Sequence, residues 1–238
     1  MTYSAREHLR RNVGQGMEER IHQPWFEEIC KDNSKILEIG FGKGNFLKKV
    51  ESTGKNIELY GIDVSEENLK IAREQVGVKC GLLLMDIAKE KFPWKDNYFD
   101  AIVMMEVLEH VESPLTTTIE IQRVCKRNGT VLYSYPLESK ICGAPLHNGV
   151  IKHNERKHES GFHSFPMPGM FTYENQRYFW NQQYFRVEDE ERTEYHIMWK
   201  MTNLKLDRPH CLDVVNIEWN TEELFEGVWT EPKFKDIV

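Results

Sequence analysis

Two short segments of this chain hold residues whose types and spacing could do chemistry. The first is Ile36-Leu37-Glu38-Ile39-Gly40-Phe41-Gly42-Lys43-Gly44-Asn45-Phe46-Leu47, where an apolar run carries an acid and three alternate glycines follow. Glycine tolerates positive φ and has no Cβ, so this turn lets a nucleotide-like ligand touch backbone, with the N–H groups of the next helix facing the crevice. Glu38 argues for a ligand with a positive group, because a pyrophosphate would be repelled there. The second segment is Glu106-Val107-Leu108-Glu109-His110-Val111. If it is helical, positions 106, 109 and 110 stand at i, i+3 and i+4, and two carboxylates share a face with one imidazole. Such a face can bind a divalent cation, or present a base, and either a metal or an imidazolium relieves the repulsion between the acids. On residues alone, the acids also suit a helix amino end and His110 suits a packed or pocket histidine.

These segments need elements to hold them. A helix is expected over Phe46 to Glu51, then a strand from Ile57 to Asp63 with Asp63 at its carboxyl end, where ribose hydroxyls bind in open α/β sheets. Ser65 reads as an N-cap, with Glu66 and Glu67 favourable at the amino end of the helix it opens. Gly81 to Met85 reads as a third strand ending at Asp86-Ile87, Phe99 to Met105 as a fully buried central strand, and Gly129 to Pro136 as the next. Strands alternating with helices predict a mostly parallel, doubly wound α/β sheet with helices on both faces. Tyr184 to Glu188 and Tyr195 to Met201 alternate like an antiparallel pair closing that sheet, with Trp199 and the methionines in the core.

The chain has 238 residues and a formal charge of −7, with pI near 5.8. That size suits one domain, and that charge argues against a strong nonspecific nucleic-acid surface. We divide it into an amino-terminal helical segment (1–34), a ligand-binding core (35–136), a lid or insertion rich in His, Gly, Pro and aromatics (137–180), closing strands (181–206) and a tail (207–238). The lid is too long for an ordinary connection and is where acceptor identity should be written. The five cysteines, Cys30, Cys80, Cys125, Cys142 and Cys211, form no C-x-x-C pair. With no signal core and no apolar span, the expectation is a cytoplasmic protein without membrane contact.

Asn45 stands where a dinucleotide loop needs its third glycine, so G-x-G-x-x-G fails while G-x-G-x-G is met. With these glycines and strand-end acids, roughly residues 30 to 135 resemble the class I S-adenosylmethionine-dependent methyltransferases. The resemblance implies a Rossmann-like fold and S-adenosyl-L-methionine as cofactor, held by Glu38, Gly40, Phe41, Gly42, Gly44, Asp63, Val64, Asp86, Ile87 and Met105. In that family Asp86 and Ile87 would hold the adenine amino group and edge. The E-x-x-E-H segment resembles two branches, one methylating catechol-like hydroxyls in ubiquinone biosynthesis and one methylating the terminal ribose 2′-hydroxyl of small RNAs. The second branch completes a metal site with a downstream histidine. Among His147, His153, His158 and His163, the last fits best, so the implied ligands of Mg2+ or Mn2+ are Glu106, Glu109, His110 and His163. Without an ion, His110 is the expected base, with Glu109 beside it. The leading expectation is O-methylation of a small polar or saccharide-type acceptor. RNA is the alternative acceptor, with Lys152, Arg156 and Lys157 as phosphate contacts, and a silent cofactor-binding subunit is the third reading.

Overall fold

The computed structural model describes residues 21–77, 80–136, 172–193 and 196–205, together with the backbone of 150–152 and 162–164. The chain divides into two units, Met1–Lys205 and Leu206–Val238. The second unit, most of the expected lid and the first twenty residues lie outside the described residues.

Helix α1 (Gln23–Ile29) opens with a proline in its first turn, where a missing N–H costs nothing, and buries Trp25, Phe26 and Ile29. β1 (Lys35–Ile39) leads through the glycine turn into α2 (Asn45–Glu51). β2 (Glu58–Asp63), α3 (Glu66–Gln75) and β3 (Gly81–Leu84) follow. β4 (Phe99–Met105) ends at a 3-10 turn, Leu108–His110, which is followed by α4 (Pro114–Val124) and β5 (Cys125–Pro136). β6 (Val150–Lys152) and β7 (Phe162–Ser164) pair with each other, apart from the main sheet. α5 (Tyr173–Gln182), β8 (Phe185–Arg192) and β9 (His196–Asn203) complete the described fold.

The main sheet has seven strands in the order β3-β2-β1-β4-β5-β9-β8. The first five run parallel, and β9 and β8 are antiparallel additions at one side. The mostly parallel α/β sheet with an antiparallel closing strand is the architecture expected from the sequence, and β5 simply begins four residues before its expected start. Alternation in the central strands separates two cores. Leu37, Ile39, Ile102, Met104, Val131 and Tyr133 pack toward α4 and α5, whereas Ile36, Ala101, Val103, Met105 and Leu132 pack toward α1, α2 and α3.

Two polar details fix the antiparallel side. Asn203 Nδ2 donates to the carbonyls of Gln122 and Cys125, both at 3.1 Å, tying the end of β9 to the α4–β5 junction. Wholly buried Tyr133 donates its hydroxyl to Gln176 Oε1 of α5 at 2.7 Å. Left unmade, a buried bond of that kind would cost about 1–3 kcal/mol. With β9 pinned at its far end, its first residue, His196, is set opposite Pro136 at the carboxyl end of the parallel strands.

Candidate active site

The glycine turn is shaped by its neighbours. Gly40 has φ of +74°, and a Cβ placed on it would stand 2.3 Å from Val107 Cγ2, so the turn has room for that valine only because it lacks a side chain. Gly42, at φ +52°, is the opposite case, since a Cβ there would meet nothing within 4 Å. Its backbone faces open space. The Gly42 N–H donates to Asp63 Oδ2 at 2.9 Å, while Asp63 Oδ1 accepts from Ser65 N at 2.8 Å. Asn68 Nδ2 stands 3.4 Å from both oxygens. Burial pushes the Asp63 carboxyl up, and the donors from Ser65 and Gly42 oppose that shift. Asp63, expected to meet a ribose, therefore also clamps the glycine turn onto the end of β2. Ser65 caps α3 as expected, accepting from Asn68 N.

The other expected cofactor contacts line the same edge. Glu38 is buried in β1, with Gly61 and Val103 opposite it in the flanking strands. Gly44 begins α2 in the left-handed region. Phe41 and Met105 are buried core residues, so Phe41 offers a ligand its backbone more than its ring. Val64 turns its N–H toward the Asp63 carboxylate. Asp86 accepts from Ala88 N at 3.2 Å, an Asx turn just past β3, and pairs with Lys89 at 3.5 Å. Half-buried Ile87 packs on the core behind it.

The Glu106 segment departs from the expected helical face. Glu106 has φ of +53°, and only Leu108–His110 turn, as a single 3-10 turn. With Glu106 left-handed and only three residues turning as 3-10, the i, i+3, i+4 register does not form. The strand end holds Glu106 there instead. Its N–H donates to Ser134 Oγ at 3.1 Å, and Ser134 Oγ donates back to Glu106 Oε1 at 2.7 Å. The other oxygen, Oε2, lies 3.4 Å from His196 Nε2. Glu109 is wholly buried, and its carboxyl group stands against that of Glu106 and near its own backbone N–H. Burial, then the neighbouring Glu106 charge, holds Glu109 well above the ordinary carboxylate range. His110 Nε2 stands 3.8 Å from Glu109 Oε1.

The described members of the expected metal set, Glu106, Glu109 and His110, are not gathered around one point. Glu106 accepts from Ser134 and lies beside His196, and Glu109 is wholly buried. Among the described residues no group of three or more His, Cys, Asp or Glu side chains is arranged to hold a metal. His163 lies on β7, paired with Ile151, and its backbone strand passes within 8 Å, Cα to Cα, of the Leu108–His110 turn. Its side chain, with His147, His153, His158, Arg156, Lys157 and the side chain of Lys152, lies outside the described residues.

Ser134 and His196 were not singled out in the sequence. Both sit in ordinary alternating strands, and only the pairing of β5 with β4 on one side and β9 on the other brings them to Glu106. The nearest local signal was His196 at the start of a strand otherwise rich in Ile, Met and Trp.

A seven-stranded, mostly parallel sheet with a glycine turn after β1 and acids closing β2 and β4 defines a Rossmann-like fold of the methyl-transfer type. Residues 37–133 match the family model described as a methyltransferase domain. An uncharacterized protein of Methanocaldococcus jannaschii is 41% identical over 97 residues, 40% of this chain and 42% of that one. A ubiquinone/menaquinone biosynthesis C-methyltransferase of Burkholderia mallei is 28% identical over 121 residues, 47% of this chain and 49% of that one. The chain thus spans about half the length of the curated relatives it matches. The crystal structure of an S-adenosylmethionine-dependent methyltransferase from Aquifex aeolicus superposes with a TM-score of 0.57 at 20% identity, covering 84% of this chain and 93% of that one, a likeness of fold. Residues 37–133 thus match the methyltransferase-domain family, within a fold shared with solved S-adenosylmethionine-dependent methyltransferases.

Proposed function

We propose that the chain transfers a methyl group from S-adenosylmethionine to a small polar or saccharide-type acceptor, at oxygen. The observation that carries the cofactor assignment is the Asp63 clamp on Gly42, which leaves an open, Cβ-free backbone beside buried carboxylates. That donor set suits a cationic ligand with ribose hydroxyls. Glu38 and Asp63 would hold it by charge and hydrogen bonding, the Gly40–Gly44 backbone by close approach, and Asp86 with Ile87 at the far end of the same edge. When bound, it supplies an electrophilic methyl group on a sulfonium. The protein's share is orientation, and aligned reactants can remove on the order of 7–11 kcal/mol of barrier.

A carbon acceptor is the second reading, favoured by the Burkholderia relative being a C-methyltransferase. The fully buried thiols of Cys30 and Cys125 suit a reducing compartment such as the cytoplasm. Among the described residues no helix is long and apolar enough to cross a membrane.

Calorimetric titration with S-adenosylhomocysteine tests the cofactor assignment. Binding to the unaltered chain, weakened at least tenfold in both Asp63→Ala and Gly42→Val, is the expected result. Equal affinity in all three proteins would remove the assignment.

A further inference from the structure

The glycine turn and the Glu106 segment touch directly, because Val107 occupies the space that a Cβ on Gly40 would need. Glu106 is therefore carried beside the cofactor turn, at the carboxyl end of the central strand. Three observations set it apart from an ordinary surface acid. Its backbone is held at φ +53°, a strained conformation for a residue with a long side chain. Its carboxylate is gripped by two strands, through Ser134 Oγ at 2.7 Å and His196 Nε2 at 3.4 Å. Behind it lies Glu109, fully buried with its carboxyl group against that of Glu106. The same patch contains His110, and Tyr133 faces it from β5 with its hydroxyl turned away to Gln176.

Resting on the methyl-transfer reading above, we propose that Glu106 is the acceptor-facing catalytic residue, that Ser134 and His196 are its positioning residues, and that the acceptor atom is a hydroxyl oxygen. The chemistry follows from the arrangement. Each carboxylate oxygen has two lone pairs, so the oxygens held by Ser134 and His196 can still accept from an incoming O–H donor. As the acceptor oxygen forms its bond to the methyl carbon, its O–H bond breaks and the proton passes to Glu106. The carbon–sulfur bond breaks with its electron pair left on sulfur, so sulfonium charge and carboxylate charge disappear together. His196 and Ser134 act by holding the carboxylate where its backbone strain has placed it.

The test has two arms. In the first, calorimetry with S-adenosylhomocysteine should give the same affinity, within about twofold, for the unaltered chain and for Glu106→Gln, His196→Phe and Ser134→Ala. Failure of the unaltered chain to bind would remove the cofactor reading itself. In the second arm, methyl-deuterated S-adenosylmethionine is supplied with catechol, methyl β-D-glucopyranoside, benzylamine or a small-molecule cell extract, and labelled products are assigned by mass spectrometry and NMR. The expected label is on oxygen. Turnover should fall on the order of 100-fold or more in Glu106→Gln, with KM for the acceptor nearly unchanged. His196→Phe should lower kcat by roughly tenfold, and His196→Gln, which keeps an N–H toward Glu106, should recover part of that loss. Saturation-transfer NMR on the S-adenosylhomocysteine complex should show the labelled acceptor still bound by Glu106→Gln. Label confined to carbon or nitrogen overturns the proposal, as does undiminished turnover in Glu106→Gln. Loss of activity in His110→Ala alone would move the proton to His110, and cofactor binding with no labelled product from any source would overturn the acceptor class.

Discussion

Asp63 and Glu106 both stand at the carboxyl end of a parallel strand, yet their surroundings are opposite in kind. Asp63 is satisfied by backbone N–H groups of its own strand-turn-helix and of the glycine turn, with Asn68 one helical turn away. Glu106 is held by side chains from two other strands, with a second carboxyl pressed behind it. Fixed amide donors have one protonation state and make a rigid clamp. A cluster of serine, histidine and two carboxyls has several, and proton movement is open to it. Under the proposed function, the comparison teaches that a binding half would be built from backbone and a reactive half from side chains.

The substitution that should damage both halves at once is Gly40→Val. It forces a β-branched residue to φ +74° and drives a Cβ into Val107. Strain and overpacking together should cost about 2–6 kcal/mol, seen as a lower urea midpoint, with cofactor affinity lost as well. A stability within 0.5 kcal/mol of the parent, as an order-of-magnitude margin, would show that the two halves do not touch as described.

Asp63→Ala should separate them. It leaves the Gly42 and Ser65 N–H groups unpaired, costing about 1–3 kcal/mol of stability, and should weaken S-adenosylhomocysteine at least tenfold. Turnover at saturating cofactor, which depends on the Glu106 side, should stay unchanged. A lower saturating turnover would mean that the clamp and the cluster act as one unit.

Glu109→Gln probes the other half. Burial and the Glu106 charge raise the folded carboxyl above its unfolded value, so the folded chain holds a proton that the unfolded chain releases. Stability from this group is full below the unfolded value near 4.3 and is lost as pH rises through the raised folded value. Thermal melts across that window should therefore decline with pH in the unaltered chain and flatten in Glu109→Gln, while cofactor affinity stays the same. A parallel decline in both proteins would take Glu109 out of the titrating set.

The smallest effect is expected from Ser65→Ala, which removes the α3 cap on Asn68 N. The loss should be about 1 kcal/mol, read from the same melts. Because Ser65 N also donates to Asp63, and the backbone survives the change, cofactor affinity should move by less than threefold, a figure on the order of half that cap energy. A tenfold drop would show that the clamp depends on the cap itself.

Much of the binding half was legible in the chain because its signals are local. Glycines at 40, 42 and 44, an apolar run before them, Asp63 ending an alternating strand and Ser65 two residues later lie close in sequence and declare a strand-turn-helix by steric and capping rules alone. Apolar runs such as Ala101 to Met105 likewise declared buried parallel strands. The reactive half was decided by tertiary structure. Glu106, Glu109 and His110 read as one helical face because spacing cannot reveal that the β4 end, bonded to Ser134, forces Glu106 into the left-handed region. Ser134 and His196 lie 28 and 90 residues beyond Glu106, and only the register of β5 against β4 and β9 makes them neighbours. Local rules govern backbone within a few residues, whereas the protonation and aim of a carboxylate depend on whichever side chains the assembled sheet places within 3–4 Å of it.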